Sequence, residues 1–281
     1  MGPLSIISAK RFIGLMTMSA IEFSSGLGRP NQGRKRIKAA QVNGGCQDPA
    51  LAAMPKWKRA LDIACTLTSL PLILPLMALA ALWVRCVSRG PVIFRQERIG
   101  INGKRFLMYK FRSMQIKASP TQHEEYTRNI IQSDRPWVKL DGSDDPRIIP
   151  GGLLLRASGL DELPQLINVL CGEMSLVGPR PCLAHEYDLH SPSQRARFSV
   201  LPGMTGSWQV NQDNHTTFRQ MNEMDLQYIN HTSLKNDLVI ILRTPAILAD
   251  RISRARSRKA VSERHAKRRS TGAKVALPEL N

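Results

Sequence analysis

The chain has 281 residues, with 40 Lys+Arg against 22 Asp+Glu and a formal net charge of +18. That length suggests one sizeable domain or two small ones, enough to bury a core without disulfide staples. With 42% hydrophobic and 22% charged residues, the composition excludes general disorder and collagen-like structure. The charge is unevenly placed. Residues 1–60 and 251–281 each hold 10 basic and 2 acidic residues, net +8, whereas residues 61–250 hold 20 and 18, net +2. A near-neutral body with basic arms argues against a fold built around one basic face. It leaves tails that meet phosphate, of nucleic acid or of lipid headgroups. A nucleic-acid-binding protein using those tails is the weaker alternative. Aromatics are only 5%, and no nucleic-acid motif accompanies the run Arg254-Ala255-Arg256-Ser257-Arg258-Lys259. The cysteines, Cys46, Cys65, Cys86, Cys171 and Cys182, are odd in number without CxxC spacing, which fits a reducing compartment.

Along the chain, the first twenty residues are mildly apolar but interrupted by Lys10-Arg11, and no signal peptide is expected. Residues 1–55 read as a basic flexible N-terminal arm, because no period of 2 or 3.6 persists in their second half. Residues 63–84 are 22 positions without a charge. As a helix they would be about 33 Å long, enough for the hydrocarbon core. Pro71 and Pro75 remove backbone donors near the middle, and a bend is expected there. Basic residues flank both ends: Lys56, Lys58 and Arg59 before, Arg85 and Arg89 after. The positive-inside rule then marks both ends as cytoplasmic, which favours a re-entrant hairpin over a span.

Gly90-Pro91-Val92-Ile93-Phe94 reads as a turn and short strand. Asn102-Gly103 marks a hairpin tip, and Phe106-Leu107-Met108-Tyr109-Lys110-Phe111 is the returning strand. Residues 115–150 are polar and turn-rich. Residues 161–170 read as a helix that starts with acidic residues and has Pro164 in its first turn. Apolar residues recur at helical spacing over 218–229 and 234–252, and residues 253–281 form a basic tail.

The densest chemistry is Arg156-Ala157-Ser158-Gly159-Leu160-Asp161-Glu162. Adjacent carboxylates at a helix start are commonly caps. The same placement would keep Asp161 ionised and could hold a phosphate. An ionised carboxylate can attack phosphorus to give an acyl phosphate, with Mg²⁺ on Glu162 and nearby arginines neutralising the transferred group. Further on, Arg180 stands between Pro179 and Pro181. That arrangement suits either a rigid loop with an exposed Arg or a guanidinium fixed to grip phosphate.

Four stretches resemble the bacterial sugar transferase family, the monotopic polyprenyl-phosphate phosphoglycosyl transferases that initiate exopolysaccharides and glycoconjugates. They are Lys58-Arg59-Ala60-Leu61-Asp62, the run from Gly90 to Gly100, Met108-Tyr109-Lys110-Phe111-Arg112-Ser113-Met114, and the run from Leu160 through Gly178-Pro179-Arg180-Pro181. The resemblance covers roughly residues 58–251. It implies an α+β, membrane-associated enzyme in which residues 56–252 form the transferase domain. That domain would have a re-entrant membrane helix at 63–84, amphipathic interfacial helices and a small sheet-bearing cytoplasmic portion. It also implies transfer of a sugar-1-phosphate from a UDP-sugar to polyprenyl phosphate at the cytoplasmic face of the bacterial inner membrane, releasing UMP. Asp161 and Glu162 match the catalytic dyad, Asp161 as nucleophile and Glu162 as Mg²⁺ ligand. Arg156 and Arg180, with Pro179 and Pro181, match the phosphate-binding region. The basic tails would meet anionic lipid.

Three departures stand out. Leu74-Pro75 replaces a Ser-Pro hinge, Gly159 replaces a Ser, and Trp208-Gln209-Val210 continues as Asn211-Gln212-Asp213 where the family pattern reaches an Arg. The missing Arg leaves a catalytically impaired membrane scaffold of the same fold as the alternative.

Overall fold

The structure is a computed structural model that describes residues 54–115, 121–133, 135–136, 145, 147–211 and 216–273. The N-terminal arm to residue 53 and the last eight residues lie outside the described residues. Helix α1, Lys56–Val87, runs 32 residues through both prolines. Among the described residues it is the one helix long and apolar enough to cross a membrane. Its burial is confined to its ends. Lys58, Asp62 and Thr66 are buried at the start and Ala80 and Val84 at the finish, each series at four-residue spacing, so one face at each end meets the protein. Between them Leu67, Leu72, Leu74, Leu76 and Leu79 are exposed.

Strands β1 (Ile93–Ile99) and β2 (Arg105–Phe111) form the expected antiparallel hairpin, with Ile93 opposite Phe111 and Ile99 opposite Arg105. Its tip turns at Asn102 (φ 53°) and Gly103 (φ 73°), the left-handed conformations that an Asn-Gly pair adopts readily. Met108 of β2 packs with Val169 and Met174, and Phe111 with Ala80, Val84, Ile149 and Leu155. The hairpin thus joins the far end of α1 to the rest of the molecule.

Helix α2, Thr121–Ser133, lies inside the stretch read as turns. Its sequence is mostly polar, but Thr127 and Ile130 are buried and Ile131 packs beside Trp208, Phe218 and Met221. Tertiary packing outweighs the weak local pattern there.

After α3 (Gly152–Ala157) come a 3₁₀ turn, Leu160–Glu162, and α4 (Gln165–Cys171). A short parallel pair follows, β3 (Ser175–Val177) beside β4 (Gly203–Thr205), with Ser175 opposite Gly203 and Val177 opposite Thr205. Between these strands lie α5 (Ala184–Asp188) and a second 3₁₀ turn, Gln194–Ser199. The last described elements are α6 (Ser207–Asn211), α7 (Phe218–Asn230) and α8 (Leu234–Ala273). Thr217 caps α7: its hydroxyl accepts from Gln220 N–H, while the Gln220 side chain reaches back to Thr217 N–H. α8 runs 40 residues, past the last apolar repeat and into the basic stretch. It exposes Leu234, Leu238, Val239 and Leu242, the last 77% accessible, on a side spaced at four residues.

The expected mixture of helices and small sheets is present. Its apolar core is divided into several small clusters, and buried polar side chains tie them together. Lys58 Nζ donates to Val177 O (2.9 Å), Tyr228 Oη (2.9 Å) and Asp237 Oδ2 (2.5 Å). Arg59 donates to the carbonyls of Val169 and Leu170. Asp62 accepts from Ser175 Oγ and Leu176 N–H. The Lys58-to-Asp62 motif therefore fastens the start of α1 to β3, α4 and α8.

Candidate active site

Asp161 and Glu162 do not open an α-helix. Gly159 turns the chain at φ 71° and the 3₁₀ turn carries both carboxylates. Glu162 N–H closes on Gly159 O and Leu163 N–H on Leu160 O. Pro164 then occupies the cap position, and α4 begins at Gln165 with seven residues. The expectation of a helix from residue 161 with Pro164 inside its first turn is corrected to a tight turn followed by a short helix. The carboxylates are fixed by the turn rather than by the end of a long helix. A residue at φ near +70° favours glycine, and that accounts for Gly159 at this point.

Asp161 is 7% exposed. Glu162 is half-buried and accepts from Lys110 Nζ at 3.0 Å. Asn168 docks α4 onto β2, the strand that carries Lys110. Its Oδ1 accepts from Tyr109 N–H (3.1 Å), and its Nδ2 donates to Leu107 O (2.7 Å) and Glu173 Oε2 (2.6 Å). Arg156 sits in the last turn of α3, half-buried. It acts on Asp145, whose carboxyl is held below the usual range chiefly by its bonds to the Arg147 side chain.

Pro179, Arg180 and Pro181 arrive from the loop after β3. Gly178 is pressed between backbones, since a Cβ there would lie 2.6 Å from Leu201 O. At Gly203 a Cβ would lie 2.1 Å from Gly178 N, and at Gly206 it would lie 2.3 Å from Gly178 O. The two glycine-proline motifs, 178–181 and 202–206, thus interlock. Gly178 N–H donates to Thr205 O (2.9 Å) and Gly203 N–H to Pro179 O (2.8 Å). Arg180 lines a small cleft with Cys182, Glu186, Arg197, Phe218 and Met221. Burial pushes the Cys182 thiol up to about 12, so it stays protonated and unreactive.

Arg98 of β1 relates the two segments. It is 6% exposed, donates Nη1 to Pro181 O (3.1 Å), and lies 4.0 Å from Glu186. Its charge interacts with both Arg180 and Glu162. Burial lowers it to about 10, leaving it cationic at neutral pH. Burial alone would raise Glu186, but Arg180 and Arg98 bring its carboxyl below the ordinary value. Behind the loop, Arg197 Nη2 donates to Asp225 Oδ2 (2.5 Å) and Arg180 O (3.2 Å), and Nη1 to Asn222 Oδ1 (2.8 Å). His190, lowered to about 4 by burial and by Arg197, remains neutral beside it.

Sequence reasoning gave no role to Lys110, Arg98, Arg197 or Asp225. Lys110 and Arg98 fall within motifs singled out above, yet a charged residue in an alternating strand reads as solvent-facing, as Glu97 and Arg105 do in their exposed pair (2.8 Å). Residues 212–215, where the family pattern would reach its Arg, lie outside the described residues. The adjoining Trp208 is buried against Phe218 and Met221.

No group of three or more His, Cys, Asp or Glu side chains among the described residues could hold a metal unaided. Mg²⁺ is commonly held by one or two carboxylates together with substrate phosphates. The half-buried Glu162 next to Asp161 fits that manner of binding.

The profile of the family described as bacterial sugar transferase matches residues 53–251. The chain is 36% identical over 197 residues to the exopolysaccharide production protein ExoY of Rhizobium meliloti, covering 69% of this chain and 86% of ExoY. It is 39% identical over 200 residues to the UDP-glucose:undecaprenyl-phosphate glucose-1-phosphate transferase of Caulobacter vibrioides, covering 68% and 69% of the two chains. With the galactosyl transferase CpsE of Streptococcus agalactiae it shares 42% identity over 188 residues, 66% of this chain and 41% of CpsE. It therefore spans about two fifths of the length of CpsE.

Proposed function

The chain belongs to the bacterial sugar transferase family, and from that premise we propose that it transfers a hexose 1-phosphate from a UDP-sugar to polyprenyl phosphate. This would begin an exopolysaccharide or related glycan at the cytoplasmic face of the inner membrane. Similar proteins are named for galactose and for glucose, and these are the favoured sugars. The observation that carries the reading is the β1–β2 hairpin: Lys110 meets Glu162 while Arg98 holds Pro181. One hairpin thereby serves both the acidic pair and the Pro-Arg-Pro loop.

Asp161, held in its turn, attacks the phosphorus that bears the sugar. The bond from that phosphorus to the oxygen of UMP breaks, and UMP leaves with the electron pair. An oxygen of polyprenyl phosphate then attacks the same phosphorus and returns Asp161 as a carboxylate. Arg156 and Arg180 hold the donor's phosphates, Pro179 and Pro181 stiffen the loop, and Lys110 supplies a further cation beside Glu162. Glu162 would help hold Mg²⁺, which when bound would supply charge neutralisation for the transferred phosphoryl group.

Membrane attachment is through α1 as a re-entrant element. Both of its ends are buried against one body while its middle leucines stay exposed, which supports entry and return on one side. The exposed leucines of α8 suit an interfacial helix, and the basic arms suit anionic headgroups. Washing membranes with high salt should leave the protein attached; release by salt alone would count against insertion of α1.

The deciding experiment uses protein in detergent with polyprenyl phosphate and a panel of UDP-glucose, UDP-galactose and UDP-N-acetylglucosamine, scored for UMP release. Asp161→Asn should abolish release and covalent labelling while remaining membrane-bound. Wild-type rates from that variant would remove Asp161 as nucleophile. Folded wild-type protein inert to every donor would leave the scaffold alternative.

A further inference from the structure

Four consecutive carbonyls, those of residues 179 to 182, each accept a hydrogen bond, from β4, from the 3₁₀ turn at 194–199 and twice from the end of β1. Gly203 N–H reaches Pro179 O (2.8 Å) and Ile99 N–H reaches Cys182 O (2.9 Å). Between them, Arg197 Nη2 donates to Arg180 O (3.2 Å) and Arg98 Nη1 to Pro181 O (3.1 Å). Pro179 and Pro181 each fix one φ of the same segment.

The two central donors are unusual for the work they do. A carbonyl is satisfied by any neutral N–H, whereas burying an ion costs several kcal/mol unless it is well paired. Yet adjacent carbonyls of one loop are held by guanidiniums that are 2% and 6% exposed. Each is anchored on its other side. Arg197 bonds Asp225 and Asn222, and Arg98 bonds Gln96 Oε1 (2.8 Å) and sits near Glu186. Arg180 interacts electrostatically with Arg98, Glu186 and Asp225. Three cations, Arg98, Arg180 and Arg197, are thus gathered with Glu186 and Asp225, while Glu162 of the acidic pair also acts on Arg98, so this cluster links the loop electrostatically to the candidate site.

We infer that Arg98 and Arg197 are positioning residues that grip the backbone of Arg180 and Pro181 from behind and so fix where the Arg180 guanidinium meets the diphosphate of the donor. The inference rests on the proposed role of Arg180 in holding donor phosphate. Both arginines act through Arg180, and neither touches the reacting atoms.

Arg98→Lys and Arg197→Lys keep the charge but lose the forked guanidinium geometry. With Arg180 present, each raises KM for UDP-glucose or UDP-galactose, whichever is turned over, and Kd for UDP, by about tenfold, with a smaller change in kcat. In an Arg180→Ala background the same substitutions leave KM and Kd where Arg180→Ala alone puts them, because no guanidinium remains to be positioned. Equal factors in both backgrounds overturn the inference, since the two arginines would then act on the fold or on the donor directly. The thermal unfolding midpoint, by contrast, shifts alike in both backgrounds. Arg98→Lys leaves the Arg197–Asp225 pair intact and carries the test if Arg197→Lys does not accumulate. A harmless Arg180→Ala overturns the phosphate-holding role itself, a failure distinct from additivity between the arginines.

Discussion

Two buried ion pairs, Lys58–Asp237 and Arg197–Asp225, have the same 2.5 Å separation and opposite degrees of completion. In the first, every polar atom is used. Lys58 Nζ has three acceptors, Asp237 Oδ2 takes the ammonium, and Asp237 Oδ1 takes the Tyr228 hydroxyl (2.7 Å). Burial and Asp237 push the Tyr228 phenol far up, so it stays a donor. In the second, Arg197 Nε and Asp225 Oδ1 have no hydrogen-bond partner although both are buried. The complete pair fastens α1 to α8, and the incomplete one stands behind the Pro-Arg-Pro loop. Burial of charge stabilises only where its hydrogen bonds are filled. A pair kept with vacancies is therefore better explained by orientation than by stability.

The sharpest way to break this contrast is to halve the complete pair. Lys58→Met strands a carboxylate that is 1% exposed and should cost about 3–5 kcal/mol, read as a large drop in unfolding midpoint in detergent. A midpoint near wild type would mean that the pair is no strut. Replacing both partners sharpens the contrast further. Lys58→Met with Asp237→Leu should recover most of that stability and much of the UMP release. Arg197→Met with Asp225→Leu should recover stability while UMP release stays low; matching behaviour of the two double variants would erase the distinction. The smallest effect lies in pH. Burial, outweighing Arg197 and Arg180, raises Asp225 from 3.8 to about 6, so the folded chain binds that proton more readily than the unfolded one. Its stabilising contribution is complete below the unfolded value and is lost as pH rises through about 6. The unfolding midpoint of wild type minus that of Asp225→Asn should therefore decline between roughly pH 4 and pH 7, and a rise would refute the assignment.

The parts of this fold legible in sequence were those with strong local patterns. The charge-free run predicted α1, Asn102-Gly103 the hairpin, and apolar periodicity α7 and the first half of α8. Helix α2 was hidden because its sequence is mostly polar and carries only a weak apolar pattern. The β3–β4 pairing was hidden because each strand has three residues and their partners are distant in the chain. At the candidate site, Asp161 and Glu162 stood out; local rules allow both helix caps and a phosphate-attacking carboxylate, and the resemblance favours the chemistry. Lys110 and Arg98 read as solvent-facing charges of a strand, and nothing local marks Arg197 or Asp225. What gives them a role is a partner 52, 83, 17 or 28 positions away, and such distances leave no periodic trace.

The held carbonyls of residues 179–182 carry a thermodynamic consequence. A loop ordered only when its ligand arrives charges its lost conformational entropy to binding, about 1–2 kcal/mol per residue. Here that ordering is completed when the chain folds, through Gly203, Arg197, Arg98 and Ile99. Binding of UDP should accordingly show little of the unfavourable entropy that accompanies coupled ordering, and the affinity proposed for Arg180 toward phosphate would be expressed almost undiminished.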